Sequence, residues 1–423
     1  MKVKGHYTMD KIRKIPSHRH FKRASIFAGV FAAIGTVSIL SSFAATPTAH
    51  FEVELAALAS GAQQVSDTTA SSNQAIQFGE APPHESTGCT PGTLSLHGPC
   101  VNNSLIPAPK AGASTVRIDN EAPITAANGG GEPAAFRQRC DFSHMNNDDS
   151  VLFPNRPGVA HLHAYFGNTA ANNISTSASL RNSGNSTCAG GIFNRSAYWV
   201  PAMIDTTTGR PIAPNDDRSN YHSDLEIYYK LGYQGIGYTD VRPFPNGLQM
   251  IAGNTSSANS PTPNSKTKYW CENRTEPRVH LTAHLDYMPT CLAGQILTMS
   301  IDFPQCWDGV NLTSTNGRSH LTYGQWMANV DARYTHGCPV THPVGIPNVH
   351  MFIRYAVPSG DTSRWRLASD NYTTGPGGYS GHADYIFAWD ETAFPTVKER
   401  CYVAQLDCHY QLGDGREPRH PRF

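Results

Sequence analysis

Charged residues are scarce in this sequence. Only 16% of its 423 residues carry charge, and the 33 basic residues are balanced by 33 acidic ones. Proteins that bind nucleic acid usually show a basic surface, because much of their affinity comes from the phosphate backbone. The composition therefore argues against a nucleic-acid partner.

Patterns for long helices and for internal repeats are also lacking. No long stretch places apolar residues at helical spacing, and no segment recurs with a period of roughly 20 to 50 residues. These absences argue against a helical bundle and against a repeat protein. What the chain does contain is 36 glycines, 30 prolines and many aromatic residues, which is typical of a loop-rich β protein.

The N-terminus has the pattern of an export signal. Residues 1–24 are rich in lysine and arginine, and residues 25–45 are almost wholly apolar. Small residues around Ala45 favour cleavage there, although the apolar run is long enough to remain in a bilayer as a single-pass anchor. We predict that residues 1–45 are a signal peptide or a signal anchor and that the rest of the chain is secreted or otherwise extracytoplasmic. A membrane is then a partner only if this segment stays uncleaved.

The ten cysteines fit an oxidising compartment, and none of them forms a Cys-x-x-Cys pair of the kind found in zinc and redox motifs. Cys89 with Cys100 and Cys401 with Cys408 each bracket a short segment, so we predict a local disulfide for each pair. The remaining six allow fifteen pairings that the sequence leaves open: Cys140, Cys188, Cys271, Cys291, Cys306 and Cys338. We expect all of these cysteines to be structural.

Composition divides the rest of the chain. Residues 46–110 are rich in Ala, Ser, Thr, Gln and Pro and lack periodicity, so we predict a low-complexity linker that contains the small Cys89/Cys100 loop. One folded domain is predicted over residues 111–410, followed by a solvated polar tail over residues 411–423.

Within this domain the strand candidates are short and separated by turn residues. They are 159–166, 196–204, 224–233, 278–287, 295–303, 349–357 and 364–369. Short strands with frequent turns favour antiparallel sheets. We predict a mainly β fold, an antiparallel β-sandwich or jelly-roll-like body with long loops and few short helices, stapled by disulfides.

Histidines carry the strongest functional signal. Seven of them lie in polar segments flanked by glycine or proline: His161, His163, His320, His336, His342, His350 and His382. Imidazole is the commonest neutral metal ligand, and it titrates near neutral pH. Two residues apart on a predicted strand, His161 and His163 share a face and could bind one cation, although a hydrogen-bonded surface pair explains this motif alone equally well.

Two further segments favour a metal or acid/base site. Two prolines flank His342 and restrict the backbone that presents it, while Asp384 follows His382 by two residues and so points the same way on an extended chain. We therefore predict one divalent metal ion, zinc or similar, with four histidine ligands: His161, His163, His342 and His382.

Residues 305–323 form a long polar loop with four functional candidates. We predict Asp308 and His320 as acid/base residues together with Asp384, and Asn311 and Arg318 as substrate-binding residues, Arg318 as a clamp for a carboxylate or sulfate. An Asx-turn at Asp308 within a solvated loop is an equally good explanation.

Several of these segments together resemble the DUF1996 family, whose members carry a domain of unknown function. The resemblance rests on residues 157–168, 196–203, 244–254, 306–312 with 318–323, 338–347 and 381–390. Carried over position by position, the family motif falls on His161, His163, Tyr198, Trp199, Pro201, Asp308, Asn311, Ser319, His320, His342, His382 and Asp384. The resemblance implies secretion and a single domain, and it implies no settled activity.

Two classes of function remain open. The first is a metal-dependent hydrolase or lyase acting on extracellular polysaccharide, with Tyr198 and Trp199 among its substrate-binding residues, since aromatic faces can stack on sugar rings. The alternative is a non-catalytic, lectin-like module that binds glycan or cell wall through Tyr198, Trp199, Trp307 and Trp389. A disulfide-stapled coat protein would leave the clustered histidines unexplained.

Overall fold

The structure is a computed structural model. It describes residues 90–95, 97–125, 134–216, 223–231, 240–255, 266–276, 279–326 and 336–420, together with the backbone of residues 62–66 and 74–78. The predicted signal segment 1–45 and Cys89, and with it the predicted Cys89–Cys100 disulfide, lie outside the described residues. Among the described residues, no helix is long and apolar enough to cross a membrane.

Ten strands build the main body. In chain order they are β1 (Ala135–Cys140), β2 (Phe142–Asn146), β3 (His163–Gly167), β4 (Ala197–Pro201), β5 (Leu225–Lys230), β6 (Gln249–Gly253), β7 (Thr267–Asn273), β8 (Gln295–Asp302), β9 (Asn348–Ala356) and β10 (His382–Ile386). Sheet one has the order β7-β8-β9-β5-β1, and sheet two has the order β6-β10-β4-β3-β2. Every neighbouring pair is antiparallel. The predicted antiparallel β fold is confirmed.

The two sheets pack face to face because their strands alternate apolar and polar side chains. On β8, Leu297 and Met299 face the core and lie opposite Tyr355 and Ile353 of β9. The intervening Thr298 lies on the other face, opposite Arg354. A two-residue period thus directs one set of side chains into the space between the sheets.

Tyrosine hydroxyls form a hydrogen-bonded network inside this core, which we call the tyrosine network: Tyr198, Tyr229, Tyr385, Asn194 and Trp389. The Tyr229 hydroxyl lies 2.8 Å from that of Tyr198 and donates to that of Tyr385 at 3.3 Å. Trp389 Nε1 donates to the Tyr229 hydroxyl at 3.3 Å, and Asn194 Nδ2 donates to the Tyr198 hydroxyl at 3.2 Å. The network links sheet one to sheet two and gives hydrogen-bond partners to hydroxyls that burial would otherwise leave unpaired.

Short elements complete the fold. The helices are a 3₁₀ turn at Asn103–Leu105, α1 (Ser177–Asn182), α2 (Ala393–Val397) and a π-helical turn at Lys398–Tyr402. The short strands are Leu94–Ser95 with Gly98–Pro99, Met203–Asp205 with Arg210–Ile212 and Trp365–Leu367, Cys306–Trp307 with Leu321–Thr322 and Val344–Gly345, and Gln325–Trp326 with His336–Gly337. A capping box of Thr176 and Ser179 starts α1.

Four disulfides join described cysteines. The predicted Cys401–Cys408 bridge is present, and the six cysteines that the sequence left open pair as Cys140–Cys188, Cys271–Cys291 and Cys306–Cys338. No described cysteine is free. Three of these bridges tie a loop to a strand, and Cys401–Cys408 ties the π-helical turn to the segment that follows it, as expected for structural cysteines.

The predicted polar tail is folded. Residues Arg416–Pro418 pair with Ile118–Asn120 as antiparallel strands, and Leu412 and His420 are buried. This strand pairing could not be predicted from the sequence, because backbone hydrogen bonds make it and the charged residues and prolines of the segment show no strand pattern.

The predicted linker also contains ordered structure. Residues Ala62–Ser66 and Gln74–Phe78 pair antiparallel, and both are too polar to show an apolar alternation. Cys100 and Val101 are buried, and the Asn102 N–H donates to the Gly209 carbonyl at 2.8 Å. The folded body therefore starts before residue 111.

One strand prediction was wrong, and several strands were missed. Residues 279–287 follow the edge of β7 only through isolated bridges at Leu285 and His280. The Thr282 hydroxyl there accepts from the Cys271 N–H, where a ladder would use a carbonyl. The strand candidates did not include β1, β2, β6, β7 or β10, although His382 and Asp384 of β10 were expected on an extended backbone.

Candidate functional site

Three of the predicted histidines meet on the outer face of sheet two. His163 begins β3, His382 begins β10, and His161 lies just before β3. Each offers one ligand atom, and these atoms lie within 4.8 Å of one another. The rings of His161 and His163 are 4.3 Å apart between centroids, and those of His161 and His382 are 5.1 Å apart. We call these three residues the histidine cluster.

Backbone carbonyls fix two of these rings. His163 Nδ1 lies 2.9 Å from the Asp148 carbonyl oxygen, and His382 Nδ1 lies 2.8 Å from that of Ser380. A carbonyl can only accept, so each Nδ1 carries the proton and each Nε2 presents a lone pair. The Nε2 atoms of all three histidines are buried and have no hydrogen-bond partner among the described residues. A metal-binding histidine is held in this way, with its second nitrogen hydrogen-bonded behind it.

Burial keeps the cluster neutral. It lowers the pKa of His163 to about 3, with the neighbouring His382 contributing. Burial also lowers the pKa of His382 to about 4 and that of His161 well below its usual range. Neutral imidazole is the form that binds metal.

Two carboxyl groups lie beside the histidines. Asp149, His163 and Asp384 form a second group whose ligand-capable atoms lie within 4.8 Å of one another. Both oxygens of Asp384 are buried without a hydrogen-bond partner among the described residues. Burial and then the charge of Asp149 raise the pKa of Asp384 well above its usual range. Asp149 Oδ1 instead accepts from the N–H groups of Val151 and Leu152 at 2.8 and 2.9 Å.

Aromatic residues of the same face form the wall beneath the site. Tyr165 of β3 stacks between His144 and Trp199, at centroid distances of 4.7 and 5.3 Å. The Tyr165 hydroxyl donates to the Asp148 carbonyl at 2.6 Å, the same oxygen that holds His163. Register places Trp199 opposite both Tyr165 and Asp384, so these side chains share the outer face. Tyr165 thus shares the Asp148 carbonyl with His163 and also contacts the His163 ring edge-on, with centroids 6.2 Å apart.

The loop at residues 306–323 closes one side of the site. Its start is tied to Cys338 by the disulfide from Cys306. Gly317 has φ +67°, and a Cβ there would lie 2.5 Å from Ile251 Cδ1 and 3.2 Å from Val151 Cγ1. Only glycine allows this approach. Ile251 is the register partner of Asp384, so the loop lies over the carboxyl side of the site.

Arg318 follows directly in this loop. Its side chain is partly exposed, but its Nη2 atom is buried and has no hydrogen-bond partner among the described residues. Burial governs the lowered pKa of His382, and the charge of Arg318 also contributes. The guanidinium is therefore within electrostatic range of the histidine cluster.

The two predicted acid/base residues of the loop do not join the cluster. Asp308 Oδ1 accepts from the N–H groups of Val310 and Asn311, both at 2.9 Å, and Oδ2 accepts from Asn311 Nδ2 at 2.7 Å. This is the Asx-turn alternative, and it also occupies Asn311. His320 is buried, with Nε2 2.7 Å from the Gln249 carbonyl and Nδ1 3.1 Å from the Ser314 hydroxyl. Both residues hold the loop in place.

His342 is not a member of the cluster either. Its Nε2 lies 3.0 Å from the Ser319 carbonyl, and its Nδ1 lies 3.0 Å from the Thr341 hydroxyl. Among the described residues it belongs to no group of three metal-capable side chains. The predicted four-histidine site is thus corrected to three histidines, because His342 binds the loop backbone.

Three of the four predicted aromatic glycan contacts are buried. Tyr198 and Trp389 belong to the tyrosine network, and Trp199 lies in the wall beneath the site with 1% of its surface exposed. Trp307 is only partly buried, but its Nε1 donates to the Asn311 carbonyl at 2.6 Å. These side chains do not form an exposed aromatic platform.

The two remaining predicted histidines lie elsewhere. His350 is on β9, with its ring stacked on Phe352 at 4.3 Å and its Nδ1 3.4 Å from Asp302. The side chain of His336 lies outside the described residues.

Four residues that contribute to the site were not predicted from the sequence. Asp149 supplies a carboxyl, the carbonyls of Asp148 and Ser380 orient two rings, and His97 lies near enough to contribute to the lowered pKa of His161, after burial and the other two histidines. The Asp148–Asp149 pair just before the His161 motif was a readable signal. Carbonyl acceptors leave no signal in side-chain chemistry.

Fold and site together define an antiparallel β-sandwich with a buried three-histidine site on one outer face. A family model described as a domain of unknown function, DUF1996, matches residues 149–389, and the chain belongs to that family. The match includes every member of the histidine cluster. Searches of curated proteins and of solved structures found no match.

Proposed function

We propose that this chain is a secreted, metal-dependent enzyme whose histidine cluster binds one divalent ion, zinc or similar, and which hydrolyses or cleaves by elimination an extracellular polysaccharide. One observation carries the proposal: three buried Nε2 atoms converge with no partner among the described residues. A buried polar atom without a partner costs about 1–3 kcal/mol, and a bound cation removes that cost for all three.

The geometry suits a catalytic metal site, which keeps one coordination position open, rather than a structural site in which the protein fills every position. Zn–N bonds of about 2.0–2.1 Å place three ligand nitrogens of a tetrahedral site ~3.3 Å apart, so nitrogens within 4.8 Å need only a small inward movement. Three protein ligands leave a fourth position for water or substrate. A metal in such a site lowers the pKa of bound water to about 7 and polarises a substrate oxygen.

The carboxyl beside the histidines supplies the second chemical group. Asp384 and Asp149 both offer an oxygen within 4.8 Å of the ligand atom of His163. We assign Asp384 as the acid/base residue, and Asp149 as a neighbour whose charge, after burial, raises the pKa of Asp384. Asp308 and His320 are left with structural roles because their polar atoms are already bonded.

The extracytoplasmic location rests on indirect support. The N-terminal sequence resembles an export signal, and disulfides persist in oxidising compartments. The buried aromatics weaken the lectin-like alternative, which depended on an exposed platform.

Metal content of the full-length secreted chain tests the proposal. We expect about one equivalent of zinc after loading and dialysis. His161→Ala should lose it, since removing a ligand should cost more than the roughly 10- to 100-fold that follows loss of a partner behind a ligand. His161 is partly exposed and its Nε2 is unpaired, so this variant should fold.

His342→Ala is the matched control, because it removes an imidazole outside the cluster and should keep the metal. Loaded and chelated enzyme are then incubated with neutral and acidic polysaccharides, and chain length is measured. A wild-type protein that binds no metal, or a His161→Ala variant that binds a full equivalent of zinc, would refute the proposed metal site. A metal-loaded protein that shortens no polysaccharide would refute the proposed enzymatic activity.

A further inference from the structure

We propose that the site takes an anionic sugar unit, and that Arg318 binds its carboxylate or sulfate group beside the metal. This inference rests on the proposed function and names its substrate class. It starts from an arginine whose placement is determined by its loop and whose donor atom is not used by the fold.

The first step is the placement of the loop. Gly317 packs against Ile251 and Val151, with no room for a Cβ. Ile251 is paired with Asp384, and Val151 is two residues beyond Asp149. The residue after Gly317 is therefore positioned beside the carboxyl side of the histidine cluster.

Hydrogen bonds fix the backbone on both sides of Gly317. The Ser314 hydroxyl accepts from the Ser319 N–H at 3.0 Å, and Asn316 Oδ1 accepts from the Arg318 and Ser319 N–H groups at 3.0 and 2.9 Å. His320 then fastens the loop to the Gln249 carbonyl. An arginine on such a rigid backbone is pre-organised to bind a ligand.

The Arg318 guanidinium has a hydrogen-bond donor that the fold does not use. Arg318 Nη2 is buried but has no acceptor among the described residues. Neither oxygen of Asp384 has a hydrogen-bond partner there either, so the fold uses neither this donor nor these acceptors. Arginine presents its donors as a planar fork that matches the two oxygens of a carboxylate or sulfate.

Charge also favours an anionic ligand. Gly317 packs on Ile251, the register partner of Asp384, and so places Arg318 beside the centre where the metal would sit. A dication and a guanidinium around one space favour a ligand with a negative group, because in a buried site both attractions are weakly screened.

The experiment uses the full chain loaded with Co²⁺, whose visible spectrum reports on ligands near the ion. Galacturonate, galactose 6-sulfate and neutral galactose are titrated separately. We expect one of the two anions to bind at least tenfold more tightly than galactose, as measured by the concentration at which the spectrum changes. The anion that does so identifies the bound group as carboxylate or sulfate. Arg318→Gln should weaken its binding roughly 10- to 150-fold, as expected for loss of a hydrogen bond to a charged group.

Two variants control for charge and for fork geometry. Arg419→Gln removes one positive charge from a residue that pairs with Asp119, and it should bind as wild type does. Arg318→Lys keeps the charge without the fork and should fall between wild type and Arg318→Gln. Cobalt stoichiometry should be the same in all four proteins.

The outcomes separate this inference from the proposed function. Full cobalt with unchanged anion affinity in Arg318→Gln would overturn the inference and leave the metal site standing, as would equal affinity for galactose or no sugar binding at all. Absence of cobalt in the wild type would overturn the proposed function. The same titrations are then done by calorimetry, where weaker anion binding in Arg318→Gln supports the arginine's role and unchanged binding contradicts it.

Discussion

Strands β4 and β10 carry two sets of buried polar side chains, one set on each face of sheet two. Toward the core, Tyr198 and Tyr385 join the tyrosine network, where each hydroxyl has a partner. Toward the outside, Trp199 follows Tyr198 on β4 and Asp384 precedes Tyr385 on β10. Both belong to the site, where buried polar atoms are unpaired among the described residues. Burial is equally deep on both sides. The difference in pairing separates polar groups that stabilise the fold from polar groups that await a ligand.

Zinc should stabilise the protein by binding to the histidine cluster, and this gain should not depend on the tyrosine network. At 100 times its Kd, zinc should raise the free energy of unfolding of the wild type by about 2.7 kcal/mol. Tyr229→Phe should keep this gain, because its hydroxyl lies on the core side of sheet two. His382→Ala should lose it, because it removes a ligand.

Urea unfolding of the full chain with zinc and with chelator measures this gain. Each variant is compared with itself, so the cost of the substitution to the metal-free fold cancels. A zinc-dependent gain of wild-type size in His382→Ala would contradict the assignment.

Removing a hydroxyl should weaken the fold only where the hydroxyl is paired. Tyr229→Phe deprives Tyr198, Tyr385 and Trp389 of a partner, and we expect the free energy of unfolding in chelator to fall by about 1–3 kcal/mol. Tyr355→Phe is the matched control, since the buried Tyr355 hydroxyl has no hydrogen-bond partner among the described residues. It should leave stability unchanged or slightly higher. Equal losses in the two variants would show that pairing is not the distinction.

The smallest expected effect is a dependence on alkaline pH. Burial, and then Tyr198 and Tyr385, raise the pKa of Tyr229 well above its usual range. A group whose folded pKa is raised contributes stability that is fully present below its unfolded pKa of about 10 and is lost as pH rises toward the folded value. The advantage of wild type over Tyr229→Phe should therefore shrink above pH ~10, by up to about 1.4 kcal/mol per pH unit. Urea unfolding at several pH values measures it, and parallel curves would contradict it.

Much of this fold could be predicted from local pattern. The apolar alternation in residues 295–303 and 349–357 predicted β8 and β9, because strands with one face in a core have a two-residue period. The same rule failed for β1, where Arg137 and Arg139 alternate with core residues and conceal them. It failed again at residues 279–287, where a threonine hydroxyl replaces a ladder carbonyl.

The site was predictable as chemistry but not as geometry. His161, His163, His382 and Asp384 were identified from spacing on an extended backbone, and they do meet. His342 and His320 were predicted on other grounds, His342 from the prolines that flank it and His320 from the long polar loop that carries it. Their exclusion depends on the carbonyls of Ser319 and Gln249, which come from other parts of the chain. Tertiary hydrogen bonds of this kind leave no local signature.

The alternation of faces on β4 and β10 also limits how this gene can change. Deleting a single codon within either strand would exchange its two faces, sending the Asp384 or Trp199 position into the core and a tyrosine to the outside. Substitutions along these strands would alter one region at a time, whereas a one-residue length change would destroy both at once. Homologous genes should therefore differ in length between these strands and hold the strands themselves free of insertions and deletions.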